Sequence, residues 1–178
     1  AVRSAALRAL GTLEPAVLAT HAPVIVAKLE DFNEGVRSAA VATLGKLEPA
    51  DLATHAPTIV AKLEDSNKGV RRAAVATLGK LEPAVLAMHA PAIVAKLEDS
   101  DKDVRRAAVA TLGKLEPAVL ATHAPAIVAT LEDSNEHVRR AAVATPGPLA
   151  PAAPATTHTP PLSPPAAPTT HHPHTPSP

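Results

Sequence analysis

The chain repeats itself every 34 residues. Pro23, Pro57, Pro91 and Pro125 are spaced by that step, as are Pro15, Pro49, Pro83 and Pro117, and Val2, Val36, Val70, Val104 and Val138, each valine followed by arginine. Self-similarity at a period of about 20 to 50 residues marks an array whose units bury their apolar faces against one another. The pattern stops within a few residues. Arg140 is the last charged residue, and twelve of the 20 prolines fall at or after Pro146. A segment of Ala, Pro, Thr, Ser and His buries too little apolar surface to offset the entropy of ordering. Residues 1–145 are therefore expected to form the array and residues 146–178 a disordered Pro/Thr/His-rich tail.

Within one unit, the stretch after Ser100 carries Val104, Ala107, Ala108, Leu112 and Leu115 on one face of a helix. Asn33, Asn67, Asp101 and Asn135 precede these stretches and suit helix N-caps, since their side chains accept bonds from free N–H groups of a first turn. Gly113 and the Glu116-Pro117 pair mark the helix end. The first half of the unit, with Val85, Leu86, Ile93, Val94 and Leu97, also reads as helix. There Pro91 removes a donor and crowds the preceding turn. The expectation is a short helical turn from Pro83, a kink or break, and a second helix from about Pro91 to Glu98. Such short helices are marginal alone, so stability is collective. The architecture expected is all-α: an α-solenoid of stacked helical hairpins, with an unpaired helix over 2–13 followed by four hairpins.

Composition removes several function classes. There is no cysteine, Trp or Tyr and one Phe, and 17 basic residues balance 17 acidic ones. Disulfide scaffolds and cysteine zinc sites are excluded. A balanced chain without aromatic stacking residues argues against nucleic acid and anionic membrane as partners. The scarcity of aromatics also separates the repeat from tetratricopeptide units of the same length, and neither an ankyrin TPLH turn nor a leucine-rich LxxLxL strand is present.

Four units share a proline in the first helix, an aspartate at its end and a Val-Arg pair opening the second. These are Pro23, Asp31, Val36, Arg37; Pro57, Asp65, Val70, Arg71; Pro91, Asp99, Val104, Arg105; and Pro125, Asp133, Val138, Arg139. This pattern over residues 2 to 145 resembles the HEAT repeat family, with a period near that of the variant in phycobilisome lyase relatives. The resemblance implies that Asp31, Asp65, Asp99 and Asp133 form a ladder with Arg37, Arg71, Arg105 and Arg139. The physical reading is that an arginine shares its five donors between carboxylates above and below.

The remaining candidates read as structural. His21, His55, His89 and His123 recur once per repeat, at a spacing too wide to share one zinc ion, and no serine is paired in sequence with an oriented base. The paired arginines at 71–72, 105–106 and 139–140 read as solvated faces beside acidic neighbours. His171, His172 and His174 lie in the tail. No catalytic, cofactor or metal residue is assigned. Asp51, at the position of Val17, marks that position as surface. The expected function is a non-catalytic protein-interaction scaffold with an unidentified protein partner. An accessory part of a lyase or hydroxylase and a nucleic-acid binder are the alternatives. ATPGPLAPAAPAT from Ala144 aligns with ATLGKLEPAVLAT from Ala110, so the tail reads as a decayed repeat whose preceding helix frays near Pro146. Because the sequence opens inside a repeat, it reads as a fragment of a longer array. Its first helix offers an apolar face for end-to-end association, and a cytoplasmic setting is favoured.

Overall fold

In the computed structural model, residues 2–145 are described, and all regular structure among them is helical. A lone helix, α1 (Val2–Leu10), precedes four hairpins. Their first arms are α2 (Pro15–Thr20) with α3 (Ala22–Ala27), α5 (Pro49–Ala61), α7 (Pro83–Val94), and α9 (Pro117–Thr122) with α10 (Ala124–Ala129). Their second helices are α4 (Glu34–Leu44), α6 (Lys68–Leu78), α8 (Lys102–Leu112) and α11 (Glu136–Ala144). Each first arm tightens into a 3-10 turn at its end, such as Lys62–Glu64.

The punctuation follows from local chemistry. Glu48 holds an extended ψ of 149° because the next residue is proline, and α5 starts at Pro49, where a missing N–H costs nothing. The second helices start on capping side chains. Asn33 Oδ1 accepts from Val36 N, Asn67 Oδ1 from Gly69 N and Val70 N, Asp101 Oδ1 from Asp103 N and Val104 N, and Asn135 Oδ1 from His137 N.

One continuous aliphatic core runs the length of the array. Leu52, Ile59, Leu63, Leu78, Leu86, Ile93 and Leu112 are fully enclosed between hairpins, and truncating any of them to alanine is worth about 2 to 5 kcal/mol. Second helices pack on the second helices of the next repeat over a longer contact than the first arms make with each other. Small residues permit this. Ala74 and Ala108 have no exposure at all, whereas Ala107, which the helical pattern assigns to the core, is only half-buried. Val109 takes a core place that the pattern omits.

Two expectations are corrected. The first helix runs over Val2–Leu10 and not to residue 13, because residues 11–13 turn toward Pro15. The break expected at the second proline occurs only in the outer hairpins, at His21 and His123. In the middle hairpins α5 and α7 pass through Pro57 and Pro91 as continuous helix, and α7 continues to Val94 before a 3-10 turn over Ala95–Glu98. Hairpins two and three are packed between neighbours on both sides, and that packing holds helical geometry against the missing bond. Residues 146–178, which hold the proposed decayed repeat and the tail histidines, lie outside the described residues.

Candidate interaction surface

Two sets of side chains face away from the core: one in the turns between arms, one on the second helices. In the turns, arginine reaches forward to the next repeat. Arg37 donates through Nε and Nη2 to both oxygens of Asp65, each at 2.8 Å. Arg71 grips Asp99 at 2.8 Å twice, and Arg105 grips Asp133 at 2.7 and 2.9 Å. The third donor group turns back to its own repeat: Arg71 Nη1 donates to the carbonyls of Asp65 and Ser66 at 3.0 and 3.2 Å. One arginine therefore ties a carboxylate ahead to backbone behind. The carboxylate-above-and-below sharing expected from sequence does not occur, because the turn presents its carbonyls, not a second carboxylate, to that edge of the guanidinium.

The series starts earlier than the sequence pattern assigned. Arg3 meets Asp31 at 3.0 Å and lies 4.6 Å over the Phe32 ring. At the other end Arg139 donates to the Asp133 carbonyl at 2.7 Å. The aspartates also hold their own turns, since Asp65 Oδ1 and Asp99 Oδ1 accept from Asn67 N and Asp101 N at 2.9 Å. The bonds from Arg37 and Arg105 keep the Asp65 and Asp133 carboxyls below the ordinary aspartate range against the opposing effect of burial. At Asp99 burial is the largest influence and pushes upward, but Arg71 and the Asp101 N–H together outweigh it and the net shift is downward.

A second set of inter-repeat bonds was not read from the sequence, although the recurring ATLGK motif signals it. Thr43 Oγ1 lies 3.0 Å from Leu7 O, and Thr77 and Thr111 lie 3.3 Å from Val41 O and Val75 O. Lys80 Nζ donates to Gly45 O and Lys114 Nζ to Gly79 O, both at 2.8 Å. Closeness favours glycine there: a Cβ on Gly79 would stand 3.0 Å from Thr111 Oγ1, which would have to give way. On the first arms, Lys62 and Lys96 bury their stems and reach Glu30 and Glu64 at 2.8 Å. Thr130 replaces that lysine in the last hairpin and turns its hydroxyl onto Ile127 O, beside a groove of about 290 Å³ between the third and fourth hairpins.

The outer face of the second helices is a shallow channel. Ala42, Ala76, Ala110 and Ala144 are exposed along its floor, Arg72, Arg106 and Arg140 stand on one side, and Lys46, Lys80 and Lys114 on the other. Between α8 and α11 this face holds a groove of about 610 Å³, lined by Arg106, Ala110, His137, Arg140 and Ala144 among others. His21 is exposed, and His55, His89 and His123 are half-buried. Among the described residues no three metal-ligating side chains converge, and no helix is long and apolar enough to cross a membrane. Asp51 is exposed.

The family model for HEAT repeats matches residues 22–88 and 90–150. The chain belongs to the HEAT repeat family. No curated protein matches. Among solved structures, this HEAT repeat chain is similar to the complex of CpcE and CpcF of phycocyanin lyase from Nostoc sp. PCC7120, at 19% identity and a TM-score of 0.62, covering 78% of this chain and 96% of that one. A designed armadillo repeat protein in complex with the peptide (KR)4 matches at 20% identity and 0.62, over 80% and 73%. The Pds5–Scc1 complex matches at 19% identity and 0.57, over 77% and 23%. At these identities the likeness is one of fold: a HEAT- and armadillo-type α-solenoid.

Proposed function

We propose that this chain is a non-catalytic protein-interaction scaffold whose working surface is the channel on its second helices. The observation that carries the reading is the division of labour among the polar side chains. The ladder arginines, aspartates, threonines and buried lysines are engaged in joining repeats, whereas Arg72, Arg106, Arg140 and the alanine floor project outward from a rigid base. Precise, repeated placement of outward side chains is what an extended binding surface needs. Several structural neighbours are themselves protein or peptide complexes, which supports the same use of the fold. The likeness to the phycocyanin lyase subunits concerns the fold and adds no catalytic group.

The test is capture of polypeptides by the immobilised full chain, followed by cross-linking through lysine. Cross-links at Lys46, Lys80 and Lys114, and loss of capture in the floor variant Ala76→Glu with Ala110→Glu, are expected. Retention equal to that of bare matrix would sink the scaffold reading. Cross-links confined to the first arms would sink the choice of surface.

A further inference from the structure

The charge of the channel deepens the scaffold reading, on which it rests. In the two central repeats the exposed stripe reads Lys68, Arg72, Ala76, Lys80 and Lys102, Arg106, Ala110, Lys114, at steps of four that put the first three on one helix face and the second lysine in the turn just past the helix end. We infer that the channel receives an acidic, extended polypeptide segment that crosses the second helices between the arginine and lysine rows, with a carboxylate at about every third residue.

Geometry sets the occupant. The arginine of one repeat lies in the helix and its lysine in the turn two residues past the helix end, a separation on the order of 10 Å, which admits one extended chain with its side chains. Neighbouring helices lie about 8 to 10 Å apart, and an extended chain advances about 3.1 to 3.4 Å per residue, so three residues span one repeat. Charge selects the chemistry. Among the described residues Arg72 has no ion pair, and the pairs of Arg106 with Asp103 and Arg140 with Glu136 are long, at 3.7 and 3.8 Å, and exposed. Lys68 is held by Asp101 at 3.0 Å. Glu48, Glu82 and Glu116 follow the lysine row by two residues, at the N-cap position of the first arms but without a side-chain cap bond, and none of them is in an ion pair among the described residues. The lysine row is close-set: burial first, then the charges of Lys46 and Lys114, draw the Lys80 ammonium below its ordinary value. Such a row gains from an anion laid along it. The floor is alanine with no aromatic ring, which suits a polypeptide and gives no platform for bases.

Fluorescence anisotropy of the full chain at low salt tests this. The probes are a labelled peptide of about 12 residues with glutamate at every third position, the same composition with its glutamates contiguous, its lysine counterpart, and single-stranded oligothymidylate of similar length. The spaced acidic peptide is expected to bind, the lysine peptide not to bind, and Arg72→Ala/Arg106→Ala/Arg140→Ala to weaken binding at least about tenfold with unchanged circular dichroism. If that triple variant does not fold, Arg72→Ala alone is expected to weaken it about threefold. No binding of the spaced peptide, equal binding of the contiguous one, tighter binding of oligothymidylate, or a variant without effect would each overturn the inference. Partners captured and cross-linked to the lysine row while the acidic peptide fails would leave the scaffold reading standing and remove only its charge.

Discussion

Asp65, Asp99 and Asp133 each place one carboxylate where two repeats and one turn meet. Both oxygens take the guanidinium of the preceding repeat, and one of them also accepts a backbone N–H of its own turn. Arg71 and Asp99 expose only 13% and 5% of their side chains, so solvent replaces little of what is lost when either is removed. Asp99→Ala is expected to cost about 3 kcal/mol, since it strands a guanidinium and an N–H together, and urea denaturation measures it. A loss under about 1 kcal/mol, the level of an exposed ion pair, would show the ladder to be ornamental. The pH dependence follows in sign. These carboxyls titrate lower in the folded chain than in the unfolded one, so their contribution is fully present above the unfolded aspartate value of about 3.9 and is lost as pH falls through the lower folded values. Asp65→Asn/Asp99→Asn/Asp133→Asn should flatten the stability profile below about pH 4 while lowering stability near neutrality.

At the scale of elements, one tetrapeptide has two conformations. Thr20–Pro23 and Thr122–Pro125 break the first arm, whereas Thr54–Pro57, with the same sequence THAP, lies within continuous helix. The helix of hairpin two carries an absent bond inside it, and that of hairpin one is already interrupted. Pro57→Ala should therefore raise stability more than Pro23→Ala, by about 1 kcal/mol in the difference, since an interior proline disfavours helix by about 3 and its stiffening of the unfolded chain offsets part of this. Thermal melts of the two variants decide it, and equal shifts would show the break to be without energetic meaning. Glycines at equivalent positions also part. A Cβ on Gly11 would meet Thr43 at an ordinary 3.7 Å, but on Gly79 it would crowd Thr111 at 3.0 Å. Gly11→Ala is expected to stabilise by about 0.5 kcal/mol and Gly79→Ala to destabilise, with Thr111→Ala restoring part of that loss in the double variant.

For the whole molecule, each hairpin touches only its neighbours, so stability sums along one dimension. Central elements have two interfaces and terminal ones have fewer. Hydrogen exchange should be slowest in α6 and α8 and faster in α1 and α11, and Asp99→Ala should spread fast exchange from the junction of hairpins two and three. Uniform protection across all helices would mean a single cooperative unit instead.

The 34-residue step and the Asn, Asp, Pro and Gly punctuation determined the starts of both arms of each hairpin, the ends of the second helices and the stacked all-α architecture by themselves, because these signals act within a few residues along the chain. The Asp and Val-Arg positions were legible for the same reason. Which donor of arginine meets which acceptor was not, nor was the threonine and lysine set against Leu7, Val41, Gly45 and Gly79, since those bonds join residues 35 or 36 apart whose approach depends on how closely helices settle. Only the tertiary structure decided which copies of one local sequence bend. A proline weakens its helix equally in every repeat, but first arms on both sides flank those that carry Pro57 and Pro91 and hold them in line, whereas the first arms of the outer hairpins have another first arm on one side only among the described residues.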